Sequence, residues 1–315
     1  MTRLEALLAA PLPHVQPSDA ARVPAIILAA GAGRRLGPIS IHIAKPLVPV
    51  LNVPMLYWTS ARLQAAGVSS IVANVHHLAD QLGLAARRLR DGGIDLELVA
   101  EPRPSGPAGG VAACRPLLPT GSEVLVVSCD AWSDLDYAAL VMDHRTHGAD
   151  LTIAAARVQD PSRFGVLDVN SSGQVTGLRE KPADAPSGSV VSCGVYVFSA
   201  RAVRALNPPE DSEYDFKDVV PMLLATEHTV RAHLFDGMWI DLGTPVSLLA
   251  ANLCALGDVP VLLAEGARIG EGAVLERVVI GPGAVVGPGA KVRNCVLLPG
   301  AVVPEGESVI GEVLA

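Results

Sequence analysis

The sequence predicts an α/β fold, a mostly parallel sheet layered with helices and followed by a short parallel β-helix. Three observations carry that prediction. Strand-like apolar runs alternate with helix-like stretches through the first half of the chain, a glycine-rich loop follows the first run, and from Gly266 aliphatic residues recur about every six positions among glycines and prolines. Alternation is the pattern of parallel strands joined by crossover helices. A short internal period denotes a stacked solenoid.

Val23 to Leu28 is uninterrupted by polar residues, which suits a strand covered on both faces. Pro54 to Ala66 is predicted as a helix that Pro54 can start. Strand Ser70–Val75, helix Leu78–Arg90, strand Ile94–Ala100, strand Glu123–Ser128, helix Asp134–His147 and strand Leu151–Val158 follow. Between about 163 and 200 the runs FGVLDV, QVTGLRE and VVSCGVYVF are separated by NSSG and ADAPSG, turn compositions that point to hairpin strands. Helices over Phe216–Ala225 and Pro245–Leu256 close this part. In the solenoid, Ile269, Leu275, Val286, Val292 and Leu298 keep a six-residue step with a slip at Ile280. The expected organisation is a tail over 1–22, a large α/β domain over 23–258 and a β-helix of two to three coils over 259–315.

Bulk properties narrow the partners. The net charge of −8 argues against nucleic acid and anionic membrane, which both need broad positive surface. No stretch approaches the 18 uninterrupted apolar residues of a membrane span. Five scattered cysteines without a C-x-x-C pair suggest reduced thiols and a cytoplasmic protein. The first 22 residues read as a frayed or loosely docked tail rather than a signal peptide, because Glu5 interrupts the apolar run and no cleavage site follows. The solenoid is too short to cover its own ends, so a homo-oligomer is expected.

The chemistry begins at LAAGAGRRLGPISIHIAKPLVPV, residues 28–50. Glycines after a strand let backbone N–H groups approach phosphate oxygens. The dinucleotide fingerprint needs glycine at 36, which is Leu36, and an acid near 51–53, where Leu51, Asn52 and Val53 stand. A Walker A loop needs G-K-[ST], which is absent. A glycine loop with Arg34, Arg35 and then Lys45 remains, suited to a triphosphate held by amides and cations together.

The stretch resembles the signature of the sugar-1-phosphate nucleotidyltransferases, whose fold is a Rossmann-like α/β sheet. The resemblance continues through EPRPSGPAGG (101–110), VLVVSCD ending at Asp130, REKP (179–182) and WIDLGTP (239–245). In overall layout the chain is similar to mannose-1-phosphate guanylyltransferases with a C-terminal left-handed β-helix. The resemblance implies that Leu28, Ala30, Gly31, Gly33, Arg34, Glu101 and Gly106 bind the nucleotide. It implies that Arg35, Lys45 and Asp130 are catalytic, that Asp130 and Asp241 hold Mg²⁺, and that Gly165, Glu180, Lys181, Ser192 and Gly194 bind the sugar phosphate. The implied reaction is in-line attack of a sugar phosphate on the α-phosphorus of an NTP, with pyrophosphate leaving. No nucleophile is required from the chain, so the cysteines and His76 and His77 are read as structural.

Departures from the pattern bear on substrate. Ala44 replaces a proline, Pro107 a threonine, Ser128–Cys129 an Asn-Gly pair, and Ser192–Cys193 an Asn-Ala pair. A modified sugar or a sugar-like cyclitol phosphate is therefore the expected acceptor. Glu101 would offer acceptors to the N1–H and N2–H₂ of guanine, so GTP is favoured. NVHHLADQL and CDAWSDLDYAAL are similar to uridylyltransferases acting on N-acetylmuramate phosphate, which keeps UTP open, with ATP beside it. A catalytically silent nucleotide-sugar-binding subunit is the alternative, and it would be expected to lose some of Arg35, Lys45, Asp130 and Asp241. The chain keeps all four. An acyltransferase role for the solenoid is disfavoured because no histidine follows His233.

Overall fold

In the computed structural model, which describes residues 2–16 and 21–315, the first apolar run becomes β1 (Pro24–Leu28) at the middle of a nine-stranded sheet. On one side lie β2 (Ser70–Val75) and then β3 (Leu96–Ala100), on the other β4 (Val124–Ser128), all parallel. The continuous apolar character of β1 has a direct cause. Ala25 and Ile27 belong to the core on one face and Ile26 to the core on the other, since successive side chains alternate across a strand. Ile26 and Ile27 are fully buried, and each contributes about 1.5–3 kcal/mol through lost contact with water.

Beyond β4 the sheet turns antiparallel. A short strand, β5 (Ala131–Ser133), leaves it; β6 (Leu151–Arg157), the hairpin β7 (Gly165–Val169) and β8 (Val175–Glu180), and β9 (Val190–Phe198) then complete the far half. β9 pairs antiparallel with β4, β6 and β7. β10 (Val230–Leu234) adds parallel to β6, and β11 (Trp239–Asp241) pairs with β5 in a separate ladder. The chain moves outward from β1 in both directions, which opens a crevice at the strands' carboxyl ends.

The five helices expected from the sequence match their positions within a few residues, whereas those at Arg3–Leu8 and Pro107–Cys114 had no counterpart in the expectation. The helices needed below are α1 (Arg3–Leu8), α2 (Met55–Ala65), α3 (Ala79–Asp91), α4 (Pro107–Cys114), α5 (Tyr137–His147), α6 (Phe216–Ala225) and α7 (Pro245–Leu256). The loosely docked tail is corrected for its described part. Thr2 and Glu5 form a capping box on α1, Leu7 is fully buried, and the Tyr57 hydroxyl donates to the Leu8 carbonyl. Glu5, which interrupts the apolar run, is the third helical residue, and its carboxylate accepts from the backbone N–H of the Thr2 cap. Residues 17–20 of the tail lie outside the described residues.

From Val261 short strands stack in parallel, with Val261 beside Val278 and Val278 beside Cys295. The register therefore repeats every 17 residues, not 18. One five-residue step per coil is the physical content of the slip at Ile280. It also corrects one expected repeat member. Leu297 stacks on Ile280 inside the coil, whereas Leu298 joins Val279 and Val296 in the core shared with the sheet domain. Asn52 Nδ2 donates to the Ile280 carbonyl and Arg277 to the Leu253 carbonyl at the end of α7, tying the solenoid to the first part of the chain.

Candidate active site

The glycine loop departs from β1 into the crevice. Gly33 has φ of +65°, and a Cβ there would lie 3.1 Å from Cβ of Lys45. The fold itself thus demands glycine at 33. Gly31 differs, since a Cβ on it would meet nothing within 4 Å. Its bare backbone serves the open cleft rather than packing. That cleft, about 400 Å³, is lined by all seven residues assigned to the nucleotide, namely Leu28, Ala30, Gly31, Gly33, Arg34, Glu101 and Gly106, together with Asp130. A second cavity of about 470 Å³ lies behind the 101–107 loop and shares Glu101, Pro104, Ser105 and Glu213 with the first. It lacks the glycine loop and Asp130, so the smaller cleft is the chemical one.

Asn74, near the end of β2, is a residue that sequence reasoning missed. It is buried; its Oδ1 accepts from the Ala29 N–H and its Nδ2 donates to Glu101 Oε1. One amide thereby locks the loop after β1 to the loop after β3. Gly110 of α4 permits this, because a Cβ there would fall 2.3 Å from Asn74 Nδ2. The only signal in the sequence was a lone amide in an apolar strand. Glu101 is itself buried, and its other oxygen accepts from the Ser105 N–H and hydroxyl. Three protein donors therefore hold the carboxylate that was expected to read guanine, and its primary work is to brace the loop. His76 Nδ1 lies 2.8 Å from the Glu101 carbonyl. A carbonyl only accepts, so the proton on Nδ1 points to Glu101, and the ring lines the cleft.

Pro107 opens α4, where a missing N–H leaves no helical bond unmade. The next two amides, of Ala108 and Gly109, donate to the Tyr214 carbonyl. The Tyr214 carbonyl thus occupies two of the free amides of this helix start.

Asp130 and Asp241 are brought together by backbone pairing. Asp241 stands opposite Ala131 in the β5–β11 ladder, and the Leu242 N–H donates to the Asp130 carbonyl at 2.7 Å. Lys45 Nζ lies 2.5 Å from Asp130 Oδ2. Burial acts to lower the Lys45 pKa, but the Asp130 charge and hydrogen bond outweigh it, so the group stays an ammonium with a raised pKa. The Asp241 carboxyl is held above its ordinary range, first by burial and then by the Asp130 charge, with Lys45, Arg35 and Arg163 acting against both. Asp241 Oδ2 is buried without a hydrogen-bond partner. Arg35 approaches it to 3.8 Å and Arg163 to 3.7 Å. Gly243 makes room for Arg35, whose Nη2 would lie 2.7 Å from a Cβ there. Arg163 was also missed, for it stands outside the quoted motifs, and Gly243, inside WIDLGTP, was given no role there.

The residues assigned to the sugar phosphate line neither of the two cavities described above. Gly165 pairs with Glu180 across the β7–β8 hairpin, and the Lys181 ammonium contacts the Glu180 carboxylate. The Ser192 hydroxyl donates to the Tyr196 hydroxyl at 3.0 Å. Gly194, at φ of +75°, sits in the irregular stretch of β9, where a Cβ would come within 3.1 Å of Ser128. The substituted cysteines are inert. Cys129 is buried beside Thr59, and burial pushes its thiol up to about 12; burial raises Cys193 as well.

Comparison with known proteins identifies the family of the chain. The profile of the family described as nucleotidyl transferase matches residues 24–256. A glucose-1-phosphate thymidylyltransferase of Streptomyces griseus is 30% identical over 276 residues, covering 82% of this chain and 77% of its own. A mannose-1-phosphate guanylyltransferase catalytic subunit beta of Xenopus tropicalis is 31% identical over 254 residues, covering 79% and 69%. Among solved structures, HddC from Yersinia pseudotuberculosis complexed with GMP-PN superposes with a TM-score of 0.62 at 24% identity, covering 73% of this chain and 98% of that one. That last likeness concerns the fold.

Proposed function

The chain belongs to the nucleotidyl transferase family, and from that premise we propose that it transfers a nucleotidyl group from an NTP to a sugar 1-phosphate or a sugar-like cyclitol phosphate. One observation carries the reading. Asp130 and Asp241, far apart in sequence, meet beside Lys45 and Arg35 at the mouth of a glycine-lined cleft.

A phosphate oxygen of the acceptor attacks the α-phosphorus, a new P–O bond forms, and the bond to the β-phosphate oxygen breaks with its electron pair leaving on pyrophosphate. The chain supplies alignment and charge. Backbone amides around Gly31 and Gly33 hold the polyphosphate, and Arg35 and Lys45 offset charge on the departing group. Lys45 is kept protonated by Asp130 and therefore acts as a cation, not a base.

Asp130 and Asp241 are the residues that would hold a divalent cation. Their oxygens suit Mg²⁺, and Asp241 Oδ2 is a buried acceptor that no protein donor satisfies. Among the described residues no group of three or more His, Cys, Asp or Glu side chains forms a metal cage, so phosphate oxygens would complete the shell, as is usual for Mg²⁺. When bound, the ion would neutralise charge shared by the two phosphates.

GTP is the first nucleotide to test, with dTTP, UTP and ATP beside it, since the relatives divide between guanylyl and thymidylyl transfer in their names. The experiment is pyrophosphate release from each NTP with Mg²⁺ and a panel of hexose, modified-hexose and cyclitol phosphates. Release with at least one pair supports the reading, and a preference for modified acceptors over glucose or mannose 1-phosphate supports the finer one. No release with any pair refutes both.

A further inference from the structure

We propose that Arg163 is the residue that takes the phosphate monoester of the acceptor, an inference resting on the transfer reading above. Arg163 approaches Asp241 Oδ2 at 3.7 Å, and no hydrogen bond joins them among those of the described residues. A structural arginine–carboxylate pair closes to about 2.7–2.9 Å and is often bidentate. Here the arginine stands beside the acid with its guanidinium 5.9 Å from the Phe164 ring centroid, its side chain 42% exposed while that of Asp241 is only 14% exposed.

The local structure builds that position. Ser162 N–H and hydroxyl donate to Asp160 Oδ1, and the Phe164 N–H donates to the Pro161 carbonyl, forming a turn that delivers Arg163 to the start of β7. Phe164 packs edge-on to Trp239 with ring centroids 4.9 Å apart, and Trp239 lies two residues before Asp241 on β11. Trp239 is in turn anchored by donating Nε1–H to the Cys193 carbonyl. The Lys181 N–H donates to the Phe164 carbonyl at 3.0 Å. Arg163 and Lys181 therefore stand on adjacent strand ends.

In-line displacement needs its two phosphate groups on opposite sides of the α-phosphorus. The cations on the glycine-loop side, Arg35 and Lys45, serve the leaving group. Arg163 comes from the β7 side and Arg35 from the glycine loop, and they approach the same Asp241 oxygen at 3.7 and 3.8 Å. A planar guanidinium there matches the oxygens of a phosphate dianion. It would carry the acceptor phosphate beside Asp241 while Lys181 flanks it.

The test compares Arg163→Ala, Arg163→Lys and Arg35→Ala in the full chain. Arg163→Ala is expected to raise KM for the acceptor phosphate at least 20-fold and leave KM for the NTP within about twofold, with Arg163→Lys recovering part of the loss. In the reverse direction the same variant should raise KM for the nucleotide sugar and spare KM for pyrophosphate, whereas Arg35→Ala should raise KM for pyrophosphate. Calorimetric titration with glucose 1-phosphate, mannose 1-phosphate and a cyclitol phosphate reads binding without turnover, and Arg163→Ala should weaken it at least tenfold. An unchanged acceptor KM, an equal rise in the KM values of NTP and pyrophosphate, unaltered calorimetric binding, or a wild-type protein that binds none of the three phosphates would overturn the proposal. Binding by the wild type without pyrophosphate release would instead sink the transfer reading and leave Arg163 to be judged by the titration.

Discussion

Glu101 separates two accounts of the nucleotide loop. If it reads the base, Glu101→Gln should change which NTP is preferred; if it braces the loop, all NTPs should suffer alike. The structure favours the brace, because its carboxylate accepts from Asn74 Nδ2, the Ser105 N–H and the Ser105 hydroxyl. A glutamine puts an amide NH₂ in place of one acceptor oxygen. Asn74 cannot flip to meet it, since its Oδ1 is committed to the Ala29 N–H. The Ser105 hydroxyl can rotate and accept, so the best arrangement strands only the Ser105 N–H. One buried donor left without a partner costs about 1–3 kcal/mol, reduced toward the lower end because the cleft admits water on one side. Thermal unfolding should therefore fall by about 2–4 °C. Looser coupling of the two loops should raise KM for GTP, dTTP, UTP and ATP by a common factor of about 5–20, with their ratios preserved. A changed order of NTP preference at an unchanged melting temperature would refute the brace and restore Glu101 as the reader of the base.

Asp130→Asn should lower pyrophosphate release at least about 100-fold, with the fold intact by circular dichroism, and the residual rate should no longer respond to added Mg²⁺; near-normal turnover would remove Asp130 from the centre. The buried His144 is held below its ordinary value of 6.5, first by burial, and bonds Thr152. The unfolded chain thus takes up a proton that the folded one refuses, so stability from this site is complete above pH 6.5 and is lost on acidification by up to about 1.4 kcal/mol per pH unit. His144→Gln should flatten the acid limb of melting temperature against pH between 6.5 and 5, and an unchanged slope would rule His144 out as its source. In the solenoid, Leu263 is 51% and Ile269 38% exposed at inward positions, whereas Ile280, Leu297, Val286 and Val303, stacked above them, are buried. If a second copy covers this open end, light scattering will show an oligomer for the wild type and a monomer for Leu263→Glu; equal masses would show that the end stays bare.

What was legible in the sequence, and what was not, follows from how each feature is built. The glycine loop could be read because its backbone requirement and its charge sit together within 18 residues, from Leu28 to Lys45. The central strands could be read because burial on both faces leaves an unbroken apolar run. The β5–β11 ladder could not, since three residues on each side carry no periodicity. Asp130 and Asp241 were found only through resemblance, and nothing in their spacing says that they meet. Arg163 and Asn74 stayed hidden for a related reason. Each acts on a residue from another element, Asn74 by joining the ends of β1 and β3 across β2 and Arg163 by standing over Asp241 from the β7 side. The solenoid shows the converse. Its six-residue step was visible, but the five-residue step that makes a 17-residue coil shifts the interior position from Leu298 to Leu297, and both residues are aliphatic. Hydrophobicity alone cannot choose between two adjacent leucines; only the ladder partner, Ile280, decides which one enters the coil. The same limit applies at the candidate site, where composition supplies the charges and cross-strand pairing determines which of them meet.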